Sequence, residues 1–292
     1  LQQWPETSKA ERQRAEKELR AENKNAPFPG WDELREEAKE GAPQALLLVR
    51  DSEGKAVRWI AGAGGKGLHR VSWDLRFPAP NPIRLTQPAF KPPWAGDPVG
   101  PLAAPGEYTV ELFIEHDGEL RSQAPPQSFM VKPVPTAAGT DFTVVAEFQQ
   151  KTGDLLRQIA GASQQMSEAG ERLRFLSAAV KQTPNATAKH FASLNDLKDQ
   201  LADLRTQLSG DPARQRLDES TAPSIYGRVG GIVWGHWETR QTPTQTHQRS
   251  LDIASSDFAQ FEISLQQYFT NLQQFEETME KAGAPYTRGR RN

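Results

Sequence analysis

The chain has 292 residues, a net charge of −2 and no cysteine. This excludes disulfides, thiol catalysis and zinc–thiolate sites, and it leaves no electrostatic footprint for nucleic acid or an anionic membrane. Hydrophobic residues make up 36% and charged residues 25%, a balance that suits elongated helices with wide solvated faces better than one thick core.

Residues 1–41 read as a helical and extended docking segment. Lys9 to Lys24 mixes Glu, Lys and Arg at helical spacing with few apolar positions, so charge pairs along a solvated face are expected to hold it. Ala26 to Gly30 breaks this helix, and a second short one is expected over 31–40, ended by Gly41 and Pro43. Trp4, Phe28 and Trp31 stand in this polar context as anchors.

At Gln44 the period changes. Ala45 to Val49 is an apolar run of buried-strand length, Asp51 to Gly54 a turn, and Ala56 to Ile60 a return strand. Leu68, Val71, Trp73 and Leu75 mark a further strand, with Trp73 facing the core and Ser72 and Asp74 pointing away. The span from Phe77 to Pro105 contains nine prolines, which rules out central strands there. A long surface loop over 77–105 is expected, plugged by Phe90 and Trp94. Tyr108, Val110, Leu112 and Ile114 alternate strictly, His116-Asp117-Gly118 is a hairpin turn, and Phe129 to Val131 closes the set. Short strands at this spacing argue for an immunoglobulin-like β-sandwich over 42–134.

Pro133-Val134-Pro135 is the linker to a helical domain over 135–292. Thr140 or Asp141 caps a helix with a seam at Val145, Phe148, Thr152, Leu155, Ile159, Ala162, Met166, Ala169, Leu173, Leu176 and Val180. Phe191, Leu194, Leu197, Leu201, Leu204 and Leu208 form the next seam. A short helix follows Pro223 and Ser224, its glycines expected to permit close packing. The last helix, predicted over 243–282 with Thr242 as N-cap, carries Leu251, Ala254, Phe258, Phe261, Leu265, Tyr268, Leu272, Phe275 and Met279 at steps of three and four. At 1.5 Å per residue it is about 60 Å long, and it needs partner helices. The fold class is therefore α+β in two domains, the sandwich followed by an antiparallel three- to four-helix bundle. The Arg288 to Arg291 tail is expected to be solvated.

Three stretches together resemble a known family. They are Gly67-Leu68-His69-Arg70-Val71-Ser72-Trp73-Asp74-Leu75-Arg76, then Pro105-Gly106-Glu107-Tyr108-Thr109-Val110, and finally Gly235-His236-Trp237 with Pro243-Thr244-Gln245-Thr246-His247. Over about residues 40–290 the chain resembles the C-terminal region of secreted bacterial sortilin-like, BNR-repeat β-propeller proteins, often labelled glycosyl hydrolase-like. The propeller's Asp-box, Ser-x-Asp-x-Gly-x-Thr-Trp, occurs nowhere in the chain, so whatever the propeller binds or cleaves is not carried over. The resemblance implies an accessory portion located outside the cell or in the periplasm, partnered by a propeller in the same precursor or another subunit. The chain begins at Leu1, and a processed or truncated product is expected. No signal peptide is visible, and no apolar run reaches the roughly 18 residues of a membrane helix.

No catalytic set stands out, and no cofactor or metal site is expected. His236, Glu238 and His247 are near each other, but a metal needs three or four convergent ligands, so helix-end hydrogen bonding is the expected role. His69 is expected to be satisfied locally. Gly62 to Gly67 lacks the Ser or Thr that a phosphate loop places after its lysine. Asn185-Ala186-Thr187 matches a glycosylation sequon by chance. Trp4, Phe28, Trp31, Trp94, Trp234 and Trp237 are the candidate interaction residues, as isolated aromatics of the kind that anchor interfaces. The expected function is a non-catalytic docking and assembly module. The alternative is a carbohydrate-binding or glycoside hydrolase-related module, in which exposed tryptophans line a groove and two carboxylates face each other.

Overall fold

The computed structural model describes residues 4–86, 90–94, 96–133, 141–239 and 241–290. The chain is mixed α and β and divides into two compact units, Leu1–Pro78 with Ala103–Thr136, and Ala79–Leu102 with Ala137–Asn292.

The first unit opens with helix α1 (Ser8–Ala21) and helix α2 (Trp31–Glu37), followed by strands β1 (Gln44–Asp51), β2 (Ala56–Gly62), β3 (Gly106–His116), β4 (Glu119–Ser122) and β5 (Gln127–Val131). All pairings are antiparallel, in the order β2-β1-β3-β4, with β5 also on β3. Strand β3 is long enough, at 11 residues, for β4 to pair with its second half and β5 with its first. The β3–β4 turn places Asp117 at φ 52° and Gly118 at φ 77°. Two successive left-handed residues match the right-handed twist of the flanking strands, and Asp-Gly is the dipeptide that tolerates them.

The two-sheet sandwich expected from the strand spacing is, among the described residues, one five-stranded sheet. The expected strand over 68–75 is irregular. Gly65 and Gly67 take φ of 102° and 125°, Leu75 takes φ 60°, and Leu68 is fully exposed. These backbone angles break a ladder. The segment instead lays Trp73 and Phe77 over one face of the sheet, against Val49, Val57, Tyr108 and Phe129. The Trp73 ring meets Tyr108 and Phe129 edge-on, and its Nε1 donates to the Arg76 carbonyl at 3.1 Å. Ser72 and Asp74 face out, and Asp74 Oδ1 accepts the Arg76 N–H at 3.0 Å.

The second unit contains α3 (Phe142–Ala179), α4 (Ala188–Ser209), α5 (Pro212–Arg216), α6 (Ile225–His236) and α7 (Gln245–Lys281). Asp141 caps α3, accepting from the Thr143 and Val144 amides; Thr140, the other candidate, and the core of the linker lie outside the described residues. Thr187 and His190 cap α4 reciprocally. The cap of α7 is Thr244, whose hydroxyl accepts from His247 N, and not Thr242. The helix thus starts two residues later than Pro243 suggests.

Every seam residue predicted on α3 and α7 is buried, and all of them but Val145 and Thr152 form one core with the leucines of α4 and Ile225, Val229 and Ile232 of α6. Full burial of a Leu or Phe contributes about 1.5–3 kcal/mol, so this shared core, and not helix propensity, holds the long helices. Phe191 departs from its seam and is 46% exposed at the first turn of α4. Gly230 and Gly231 have open space where a Cβ would stand, so they do not serve close packing on α6.

Helix directions follow from named contacts. The start of α3 meets the start of α7 through Phe148, His236 and His247, and their far parts meet through Arg172 and Glu276, so α3 and α7 run the same way. Helix α4 runs against both, with Arg205 on the Met166 carbonyl and Gln200 bonded to Asn271. Helix α6 continues in the direction of α4. Its cap Ser224 lies beside Gly210 at the end of α4, and its last residue, His236, reaches Gln149 near the start of α3. The 22 residues of α4 and the 12 of α6 together nearly match the 38 and 37 of the two long helices.

The proline-rich loop divides accordingly, with residues 79–102 grouped with the helices. Phe90 and Trp94 are 74% and 85% exposed and do not plug it. Pro101, in contrast, is buried beside Gly153 of α3. The expected solvated tail is also corrected. Arg290 is buried, pairs with Glu280 and sits 5.9 Å from the centre of the Tyr286 ring; Arg291 lies outside the described residues.

Candidate functional site

The six aromatic candidates divide evenly between the units. In the first, Trp4 is half-buried. Its indole lies against Gly64, where a Cβ would come within 3.0 Å of Cζ2, so Trp4 pins the N-terminal segment to its own chain. Phe28 and Trp31 are exposed, at 63% and 69%, and meet edge to face with centroids 5.2 Å apart. Gly30 at φ 99° makes the turn between them and starts α2. Neither α1 nor α2 contains a buried residue.

Polar contacts hold this segment. The Arg12 guanidinium forks onto Glu37, Nε to Oε1 at 2.6 Å and Nη2 to Oε2 at 2.8 Å, and also pairs with Glu16. The fork holds the Glu37 carboxyl below its ordinary range and keeps Arg12 charged. The Ser8 amide donates to Glu40 Oε2 at 2.7 Å, and the Gly41 amide to Asp117 Oδ1 at 3.3 Å. Between these elements lies an open cleft of about 830 Å³, lined by Arg12, Leu19, Pro29, Glu36, Glu40 and Asp117 among others.

Glu40 and Asp117, which line this cleft, gather with His116, one donor atom of each within 4.8 Å of the others. Sequence reasoning missed them. Glu40 follows α2, whereas His116 ends β3 and Asp117 begins the turn after it, 76 and 77 positions further on. Only the pairing of the sheet brings them together.

In the second unit Trp94 and Trp234 are exposed, Trp234 at 89% on α6, whereas Trp237 is 4% exposed. Trp237 is therefore an interior residue and not a surface anchor. It caps the end of α6, and its indole fills the space beside Gly153 and Pro101.

His236 is 1% exposed, and both ring nitrogens are engaged. Nε2 donates to the Gln241 carbonyl at 2.9 Å, which leaves Nδ1 to accept from the Gln149 amide at 3.3 Å. Gln149 also donates to the His236 carbonyl at 3.1 Å. Burial pushes the imidazole below its ordinary 6.5; the Gln241 carbonyl opposes this, and His247, 5.3 Å away ring to ring, adds to it. A neutral histidine with both nitrogens bonded offers no lone pair to a metal, and Glu238 is exposed. This is helix-end hydrogen bonding. His69 likewise bonds locally, to the Gly65 carbonyl at 3.0 Å.

Among the described residues no helix is long and apolar enough to cross a membrane. Comparison of the chain with protein-family models, with curated proteins and with solved structures gave no match.

Proposed function

We propose that this chain is a non-catalytic docking and assembly module. The observation that carries the reading is the Phe28–Trp31 pair. Two large aromatics are exposed on a segment whose two helices contain no buried residue, held by polar contacts and by Trp4. Exposed aromatics held in a fixed mutual geometry present large apolar area at low entropic cost, which is what interface anchors need. Trp94 and Trp234 are further exposed aromatics, on the other unit.

In this reading the sheet, with Trp73 and Phe77 laid over one face, stands where the immunoglobulin-like sandwich was expected, and the helical unit serves as the bundle. The partner is a β-propeller of the sortilin-like type, in the same precursor or a neighbouring subunit, and the setting is the bacterial cell exterior or periplasm. The three sequence stretches quoted above support this partner. The buried state of Trp237 and the full bonding of His236 support a structural role for the third stretch.

The test is association of the purified chain with a sortilin-like propeller, followed by light scattering. Phe28→Ala with Trp31→Ala should weaken the complex by about 2 kcal/mol or more with no change in melting temperature. Trp237→Ala should instead lower the melting temperature. A chain that binds no propeller yet hydrolyses a glycoside would replace this reading with the carbohydrate-active one.

A further inference from the structure

We infer that Glu40, His116 and Asp117 form a divalent-cation site that clamps the N-terminal helical segment onto the β3–β4 hairpin. His116 Nε2 is buried and makes no hydrogen bond. Its neighbour is Glu40 Oε1 at 3.4 Å, on a side chain that is nine-tenths buried, with 10% exposure. A buried ring nitrogen without a hydrogen bond is uncommon enough to require a reason.

The separation supplies one. Nitrogen and oxygen ligands of zinc lie about 2.0–2.2 Å from the metal, so two corners of its tetrahedron are roughly 3.3–3.5 Å apart. The 3.4 Å between Nε2 and Oε1 is that edge. The pair makes no hydrogen bond, and its separation suits a shared ion. Asp117 offers a third oxygen within 4.8 Å. A fourth corner is left for water.

The donor set selects the class of ion. One imidazole and two carboxylates suit zinc and its neighbours cobalt and manganese. Calcium takes six to eight oxygens and would leave the imidazole unused. Two carboxylates also balance the charge of a divalent ion. The outer contacts are in place, since the Ser8 amide holds the second Glu40 oxygen and the Gly41 amide holds Asp117, and such contacts orient ligands. Ser8 begins α1, so an ion at this point fixes the start of α1 and the residues after α2 to the hairpin at once. The inference is independent of the docking reading.

The full chain is stripped with chelator and titrated with Zn²⁺ by calorimetry, and Co²⁺ absorption reports the coordination geometry. Saturable binding, one ion per chain, with a tetrahedral cobalt spectrum is expected. His116→Ala and Glu40→Gln should each weaken binding at least about tenfold and abolish that spectrum. Asp117→Asn, at an exposed position that tolerates the change, should weaken binding with unaltered circular dichroism, which keeps the test meaningful if a buried variant misfolds. Zn²⁺ should also slow proteolysis of residues 22–30 in the wild type and not in the variants. No saturable binding, or equal binding by the wild type and all three variants, would overturn the site.

Discussion

Arg172 of α3 and Glu276 of α7 form a two-point ion pair across the core. Nε donates to Oε1 at 2.9 Å and Nη2 to Oε2, and the Glu276 side chain is 5% exposed. Two parallel N–H···O bonds fix both position and rotation of the helices. Arg172→Met keeps much of the alkyl stem but strands a buried carboxylate, and should cost about 3 kcal/mol. Adding Glu276→Leu should recover most of it. Denaturant unfolding of the two variants checks this; a single variant as stable as the wild type would show that the pair contributes nothing.

Tyr268 is 2% exposed, and its hydroxyl has no hydrogen-bond partner. Burial pushes its ionisation up to about 12. An unsatisfied buried hydroxyl costs about 1–3 kcal/mol, so Tyr268→Phe should raise stability, by about 1 kcal/mol. A lower melting temperature in the variant would contradict the assignment.

His236 gives the helical unit a pH dependence. Its folded pKa lies below the unfolded 6.5, chiefly through burial. Above 6.5 both states are neutral and nothing is lost. As pH falls through 6.5 toward the folded value, the unfolded state takes up the proton first and stability declines. Melting of the wild type should fall across this window more steeply than melting of His236→Gln. Parallel curves would remove His236 as the cause.

Phe261 is fully buried at mid-seam, with the Phe258 ring 5.7 Å away. Phe261→Ala should cost about 3–5 kcal/mol, read as a loss of midpoint without change in slope. An unchanged midpoint would show that the seam closes over the cavity.

The helical seams were legible because a helix repeats its burial every three or four residues, and a single misplaced residue such as Phe191 does not disturb the period. The β3 strand and its Asp117-Gly118 turn were legible for the same local reason. Other features were not. The segment over 68–75 has strand-like composition, but left-handed angles at Gly65, Gly67 and Leu75 turn it into a cover for the sheet. The Glu40, His116 and Asp117 group depends on a pairing between distant positions, and nothing in the residues around Glu40 announces it. Trp237 and Trp234 have the same local composition, and only the facing helix decides which is inside. Arg290 shows the converse, a charged tail residue made interior by Glu280 and the Ala284 carbonyl.

The end-to-end arrangement of α4 and α6 has a kinetic consequence. The two long helices are each continuous, but the layer that closes them is in two pieces, joined through residues 210–224. Each piece can detach without the other, so the protein should open in two steps of different free energy. The α6 end, with fewer residues and a polar His236–Gln149 contact inside it, should exchange its amide hydrogens first. The stretch from Gly235 to His247 would then be the part of the helical unit most readily exposed during assembly or proteolysis, while the α4 half keeps the long helices registered.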